Sequence, residues 1–204
     1  MFPIRFSAIS LRRLASDRLS ERTDVPQNTI PTASGGRVCF DPIDVSEVKI
    51  RDIALGAARE TRFNGQYRQE IPFYSVAEHC TLGSYVAPIG SRLAFQIHDA
   101  AEAFIKDITK PLKVLLDDYV EFERRFEDAL RQRFNWPDWR TAVVKKVDIQ
   151  MLLAEQDAMV DLGRRGRSSH ADIEPAPVKF NYWLPAMAAV VWEDRYHELV
   201  ARRS

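Results

Sequence analysis

The sequence predicts an all-α fold with at most a short strand or hairpin near the N-terminus. Three observations predict it. Apolar residues recur at helical spacing from residue 46 onward, no alternating strand pattern of any length interrupts them, and Ser, Pro and Gly stand where helix ends need them.

Taken in order, residues 1–19 are rich in Arg and Ser with scattered apolar positions, which suits an arm docking on a neighbouring subunit as well as a free tail. They lack the continuous apolar stretch of a secretory signal. Residues 20–36 hold Pro26, Pro31 and the Gly35-Gly36 pair and read as a linker. The expected division is therefore an arm and linker over 1–36 and a single domain over 37–204. Arg37-Val38-Cys39-Phe40 is the one candidate strand, stopped at Asp41-Pro42.

The first helix, capped by Ser46, carries Val48, Ile50, Ile53, Ala54, Ala57 and Ala58 on one face. Ser75 caps a second helix that ends at Pro88 and Gly90. Ser91 starts a third, running through Leu93, Ile97, Ala100, Ala101 and Phe104. Pro111 suits the first residue of a fourth. A fifth spans residues 120–134, and a turn with Pro137 follows. A long helix covers 141–162, a loop covers 164–179, and Pro185 opens the last helix.

The chain has 204 residues, 46% of them apolar, enough for a real core. Its 29 basic residues balance 29 acidic ones, so no excess charge argues for nucleic-acid or membrane-surface binding. No apolar run reaches the ~18 residues of a membrane span. Two cysteines, Cys39 and Cys80, give no disulfide framework; two reduced thiols fit a cytoplasmic protein.

Chemistry concentrates in a few positions. Of four histidines, His79 and His98 fall on apolar helices, and Asp99 follows His98 directly. Glu102 lies one turn further on, so His98, Asp99 and Glu102 can project toward one site. Asp148 sits on the apolar side of its helix with Val144, Met151 and Leu152. A helix core has no structural need for such groups, because buried charge is costly unless paired or metal-bound. A divalent cation with mixed nitrogen and oxygen ligands does need them.

The order His79, His98-Asp99, Asp148 resembles the H…HD…D signature of the HD-domain metal-dependent phosphohydrolases. Arg51-Asp52-Ile53-Ala54, Arg62-Phe63-Asn64-Gly65, Tyr74-Ser75-Val76-Ala77-Glu78-His79, the run from His98 to Asp107, and Pro111-Leu112-Lys113 extend the likeness. They are similar to the branch holding bacterial 5′-deoxynucleotidases and phage dATP triphosphohydrolases, over about residues 35–165.

The resemblance implies that His79, His98, Asp99 and Asp148 hold one divalent ion, with Mn, Co, Zn, Fe, Ni and Mg all open. It implies that Glu102 and Asp107 orient or deprotonate the attacking water, and that Arg62 and Lys113 clamp phosphate oxygens. Phe63 or Tyr74 would flank the nucleoside. Two-metal members carry further histidines between the HD pair and the last Asp. This chain has none between His98 and His170, which favours a mononuclear site and leaves His170 and His197 as bystanders.

The expected activity is hydrolysis of a phosphate ester or anhydride on a small-molecule (deoxy)nucleotide, of the 5′-nucleotidase type. A dNTP triphosphohydrolase and a non-catalytic nucleotide-sensing module are the alternatives. A homodimer or higher homo-oligomer stays open.

Overall fold

The computed structural model describes residues 27–160 and 172–203. Its helical core is fronted by a small antiparallel meander: β1 (Thr29–Pro31), β2 (Arg37–Phe40) and β3 (Ile43–Asp44), in the order β1-β2-β3. Thr29 pairs with Cys39, and Phe40 with Ile43. The single expected strand is thus the middle of three. β1 lies in the stretch read as linker, where its three residues are too few to show a period.

Among the described residues eight α-helical segments follow: α1 (Ile50–Arg59), α2 (Val76–Val86), α3 (Arg92–Ile97), α4 (Glu102–Ile105), α5 (Lys110–Lys113), α6 (Asp117–Phe134), α7 (Ala142–Met159) and α8 (Pro185–Ala201). Helix α1 starts at the Lys49 cap, not at Ser46. The carboxylate of Asp52 accepts from Lys49 N at 2.9 Å, while its other oxygen takes Ser34 N at 2.7 Å. One buried acid therefore both starts the helix and ties it to the β1–β2 turn. Ser75 and Thr141 cap α2 and α7 as their sequences require, accepting from Glu78 N and Val144 N. Cys39 and Cys80 are both free thiols.

The expected third helix is interrupted. Helix α3 stops at Ile97, His98 to Ala101 form turns, and α4 begins at Glu102. The apolar period runs straight through the break, because Ile97 before it and Ala100 and Ala101 within it are all buried. Periodicity alone therefore cannot reveal it.

Helices α1, α2, α3 and α8 pack around Ile53, Val76, Phe95, Ile97 and Trp192, all nearly inaccessible to solvent. Phe95 reaches its place only because residue 83 is glycine. A Cβ there would stand 2.0 Å from Cε1 of the Phe95 ring. That ring lies 4.5 Å from the ring of His98 and 5.6 Å from that of His79, measured between centroids. Gly83→Ala should therefore overpack the floor beneath both histidines. The expected loss is ~1–3 kcal/mol of stability, read by urea unfolding. An unchanged midpoint would show that Phe95 can move aside freely. Among the described residues no helix is long and apolar enough to cross a membrane.

Candidate metal centre

Four side chains from three places in the chain meet at one point. Helix α2 supplies His79, the break after α3 supplies His98 and Asp99, and α7 supplies Asp148. His79 Nε2 lies 3.7 Å from Asp99 Oδ2 and 3.6 Å from Asp148 Oδ1. His98 Nε2 lies 3.2 Å from Asp99 Oδ1 and 3.9 Å from Asp148 Oδ1. Both imidazoles are buried, while Asp99 and Asp148 keep 17% and 24% of their side chains open, so the cluster has one mouth.

The tautomers are set from behind. His98 Nδ1 donates to the carbonyl of Phe95 at 2.8 Å. His79 Nδ1 donates to Glu155 Oε1 at 2.5 Å. In each ring Nδ1 carries the donated proton, so Nε2 is the atom left for an ion or, in His98, for the second proton that Asp99 and Asp148 favour. Neither buried Nε2 has a hydrogen-bond partner among the described residues. Two acceptor nitrogens left bare opposite two carboxylates answer the donor set of a divalent ion. Ligands around an ion at ~2.1 Å stand about 3 Å apart, close to the separations found. The set His79, His98 and Asp148 has its ligand atoms within 4.8 Å of one another, as does Cys80, His98 and Asp99. The Cys80 thiol approaches His98 at Nδ1, 3.9 Å away, which already serves Phe95. The Nε2 side is therefore the better site.

The electrostatics follow from crowding. Burial would lower the basicity of His98, but Asp99, Asp148 and Cys80 outweigh it and raise its pKa well above the usual imidazole value. Burial likewise opposes the ionisation of Asp148, yet His98, His79 and Lys145 hold it well below the ordinary carboxylate range. Glu102 goes the other way: burial first, then Asp99 and Asp107, push its pKa well up. Its Oε2 is buried with no hydrogen-bond partner among the described residues. Asp107 is also raised, chiefly by burial and against the pull of Arg62.

Asp107 reaches the cluster because Lys106 ends α4 with φ 80°. Glu60 fixes that turn, accepting from Asp107 N at 3.2 Å and from Lys106 Nζ at 2.6 Å. Arg62 arrives by a second strained turn, in which Phe63, Asn64 and Gly65 all have positive φ. Non-glycine residues there cost about 1–2 kcal/mol each, a strain common where a side chain must be aimed. The guanidinium is not spent on helix-end carbonyls. It lies 3.3 Å from Glu155, 3.6 Å from Asp107 and 3.7 Å from Asp99.

Two expected substrate contacts are placed differently. Tyr74 is fully buried, its hydroxyl donating to Glu155 at 2.8 Å and its ring edge-on to Phe180. It has no face to offer a nucleoside and belongs to the support of the site. Phe63, partly exposed beneath Arg62 at 5.7 Å, keeps that role available. Lys113 is held by Glu123 at 2.8 Å and keeps 25% of its side chain exposed. His170 lies outside the described residues, and His197 is exposed against Tyr196.

The residues that sequence reading missed are acids. Glu155, Glu60 and Glu78 are all buried. Glu78 accepts three successive backbone N–H groups, from Asn181, Tyr182 and Trp183, at 2.7–2.9 Å, tying the segment before α8 to the helix of His79. The signal for Glu155 was present: it stands seven residues after Asp148, on the same face of α7.

Fold and site together define a helical protein with a buried two-histidine, two-aspartate centre able to take a metal ion. The chain belongs to the family of YfdR, a protein of Escherichia coli whose name marks it as uncharacterized. The two are 33% identical over 174 residues, covering 83% of this chain and 94% of YfdR. An uncharacterized protein of Rhodobacter capsulatus, RCAP_rcc00048, is 36% identical over 122 residues, covering 55% of this chain and 61% of the relative. No family model matches the chain.

Proposed function

We propose that this protein is an HD-type metal-dependent phosphohydrolase acting on a (deoxy)nucleotide. The observation that carries the reading is the pair of bare, buried Nε2 atoms facing Asp99 and Asp148, with a guanidinium alongside. His79, His98, Asp99 and Asp148 would hold the ion, which when bound supplies Lewis acidity toward a phosphoryl oxygen and a lowered pKa for water. Glu102 and Asp107 sit where an attacking water can be oriented and relieved of its proton. Arg62 offers a planar fork for two phosphate oxygens. The two free thiols support a cytoplasmic setting.

The balance of charge favours a monophosphate over a triphosphate. Arg62 already faces three carboxylates, and Lys113 is taken by Glu123. In this segment exposed Lys110 is the cation left over for a longer phosphate chain. The test is phosphate release from nucleoside mono-, di- and triphosphates, with and without Mn²⁺ or Co²⁺. Release of inorganic phosphate from a monophosphate, dependent on the added ion, is expected. Release of tripolyphosphate would move the assignment to a triphosphohydrolase, and nucleotide binding without turnover would leave a sensing module.

A further inference from the structure

Glu155 lies outside the set of groups that would touch metal, water or phosphate, yet it is fully enclosed beside them. Its side chain is 0% exposed. An isolated carboxylate in that position would be too costly to keep ionised. Three donors offset that cost, from His79, Tyr74 and Arg62. The division of its oxygens is informative. Oε1 takes two donors, His79 Nδ1 at 2.5 Å and the Tyr74 hydroxyl at 2.8 Å, while Oε2 takes Arg62 Nη2 at 3.3 Å. One rigid group thus grips, from behind, an imidazole on α2 and a guanidinium on the strained turn after α1.

We propose that Glu155 is the positioning residue of this site, setting with one carboxylate both the His79 tautomer that bares Nε2 for metal and the placement of Arg62 for phosphate. The inference rests on the phosphohydrolase reading and deepens it. With Nδ1–H committed to Glu155, the lone pair of His79 can only be on Nε2, and the negative charge behind the ring makes that nitrogen a stronger donor to a cation. The same charge keeps Arg62 within reach of Asp99 and Asp107, across the mouth of the cluster. Metal and phosphate therefore meet at a fixed separation.

The amide of glutamine exposes the dependence, since it offers one accepting oxygen where the carboxylate offers two. In Glu155→Gln, if Oε1 stays with His79 and Tyr74, the amide N–H₂ confronts the guanidinium. If it turns to Arg62, an N–H₂ faces Nδ1, and His79 is driven to the tautomer whose Nε2 carries the proton and cannot bind metal. No orientation serves all the donors. Either the metal or the phosphate contact must suffer, even in a variant of unchanged shape.

The experiment is a titration of the full chain with Co²⁺, followed by the visible absorption of the ion, and then of the Co²⁺-loaded chain with inorganic phosphate. Glu155→Gln should lose ~10–100-fold in affinity for at least one of the two, the scale expected when the partner of a ligating histidine is removed. The Co²⁺ absorption spectrum should change as well, which a purely architectural tie would not cause. Glu155→Asp keeps the charge but withdraws it by one methylene. It serves if the glutamine variant does not fold, and it too should weaken one affinity. A folded variant with wild-type Co²⁺ and phosphate affinities and an unaltered spectrum overturns the inference while leaving the phosphohydrolase reading in place. A wild-type chain that takes up no Co²⁺ overturns both.

Discussion

Asp99→Ala is expected to empty the centre of metal and to stop phosphate release altogether. Asp99 is the side chain whose two oxygens address both imidazoles, Oδ1 toward His98 Nε2 at 3.2 Å and Oδ2 toward His79 Nε2 at 3.7 Å. Removing it leaves those nitrogens with Asp148 alone, and Asp148 is already shared with Lys145 at 2.6 Å. It also removes a carboxylate from the set facing Arg62. Three ligands and less negative charge should cut metal affinity by at least the ~10–100-fold seen for outer partners of such sites. Elemental analysis of the purified variant, beside the rate of phosphate release, checks this. A variant that keeps stoichiometric metal would show that His79, His98 and Asp148 suffice.

Glu102→Gln should separate chemistry from metal binding. The side chain is buried beside Asp99 and Asp107, whose charges with burial push its pKa well up. Its Oε2 has no hydrogen-bond partner among the described residues. The proposed role of this carboxyl is to exchange a proton with the attacking water. The amide keeps its volume and its capacity to accept a hydrogen bond but cannot take the proton. Metal content should stay at the wild-type level while the rate falls ~10²–10⁴-fold, the range for loss of a general acid or base. Near-normal turnover would pass the role to Asp107, which faces Arg62 from the other end of the same turn.

Much of this arrangement was legible in the sequence. Helix starts with a capping side chain or a proline were readable at Ser75 and Pro185, and to within one residue at Thr141 and Pro111, where Thr141 is the cap before Ala142 and Lys110 precedes the proline. Acids and imidazoles on apolar faces marked His98, Asp99 and Asp148 as unusual, the resemblance to the H…HD…D order implied that they and His79 form one set, and the structure brings the four together. What stayed hidden depends on contacts distant in sequence. Nothing near Ser46 shows that Asp52, bonded to Ser34, will move the helix start to Lys49. Tyr74 looked like a candidate for the nucleoside because its hydroxyl partner, Glu155, lies 81 residues away. Polar residues were judged one neighbourhood at a time, so acids buried to hold other groups, such as Glu60, Glu78 and Glu155, were passed over.

The interruption between α3 and α4 has a consequence for anyone transplanting this centre. On an unbroken helix, neighbouring residues point about 100° apart around the axis, so an adjacent histidine and aspartate diverge. Here the α-helical bonding gives way at His98 to tighter turns, His98 N reaching Phe95 O and Ala100 N reaching Ile97 O, and His98 Nε2 lies 3.2 Å from Asp99 Oδ1. The portable unit is therefore the tightened segment with its backbone partners rather than the two letters. Grafted onto a straight helix of a designed scaffold, the same dipeptide would present its donors to different compartments. Grafted with residues 95–102, including the Phe95 carbonyl that orients the imidazole, it would carry its own aim.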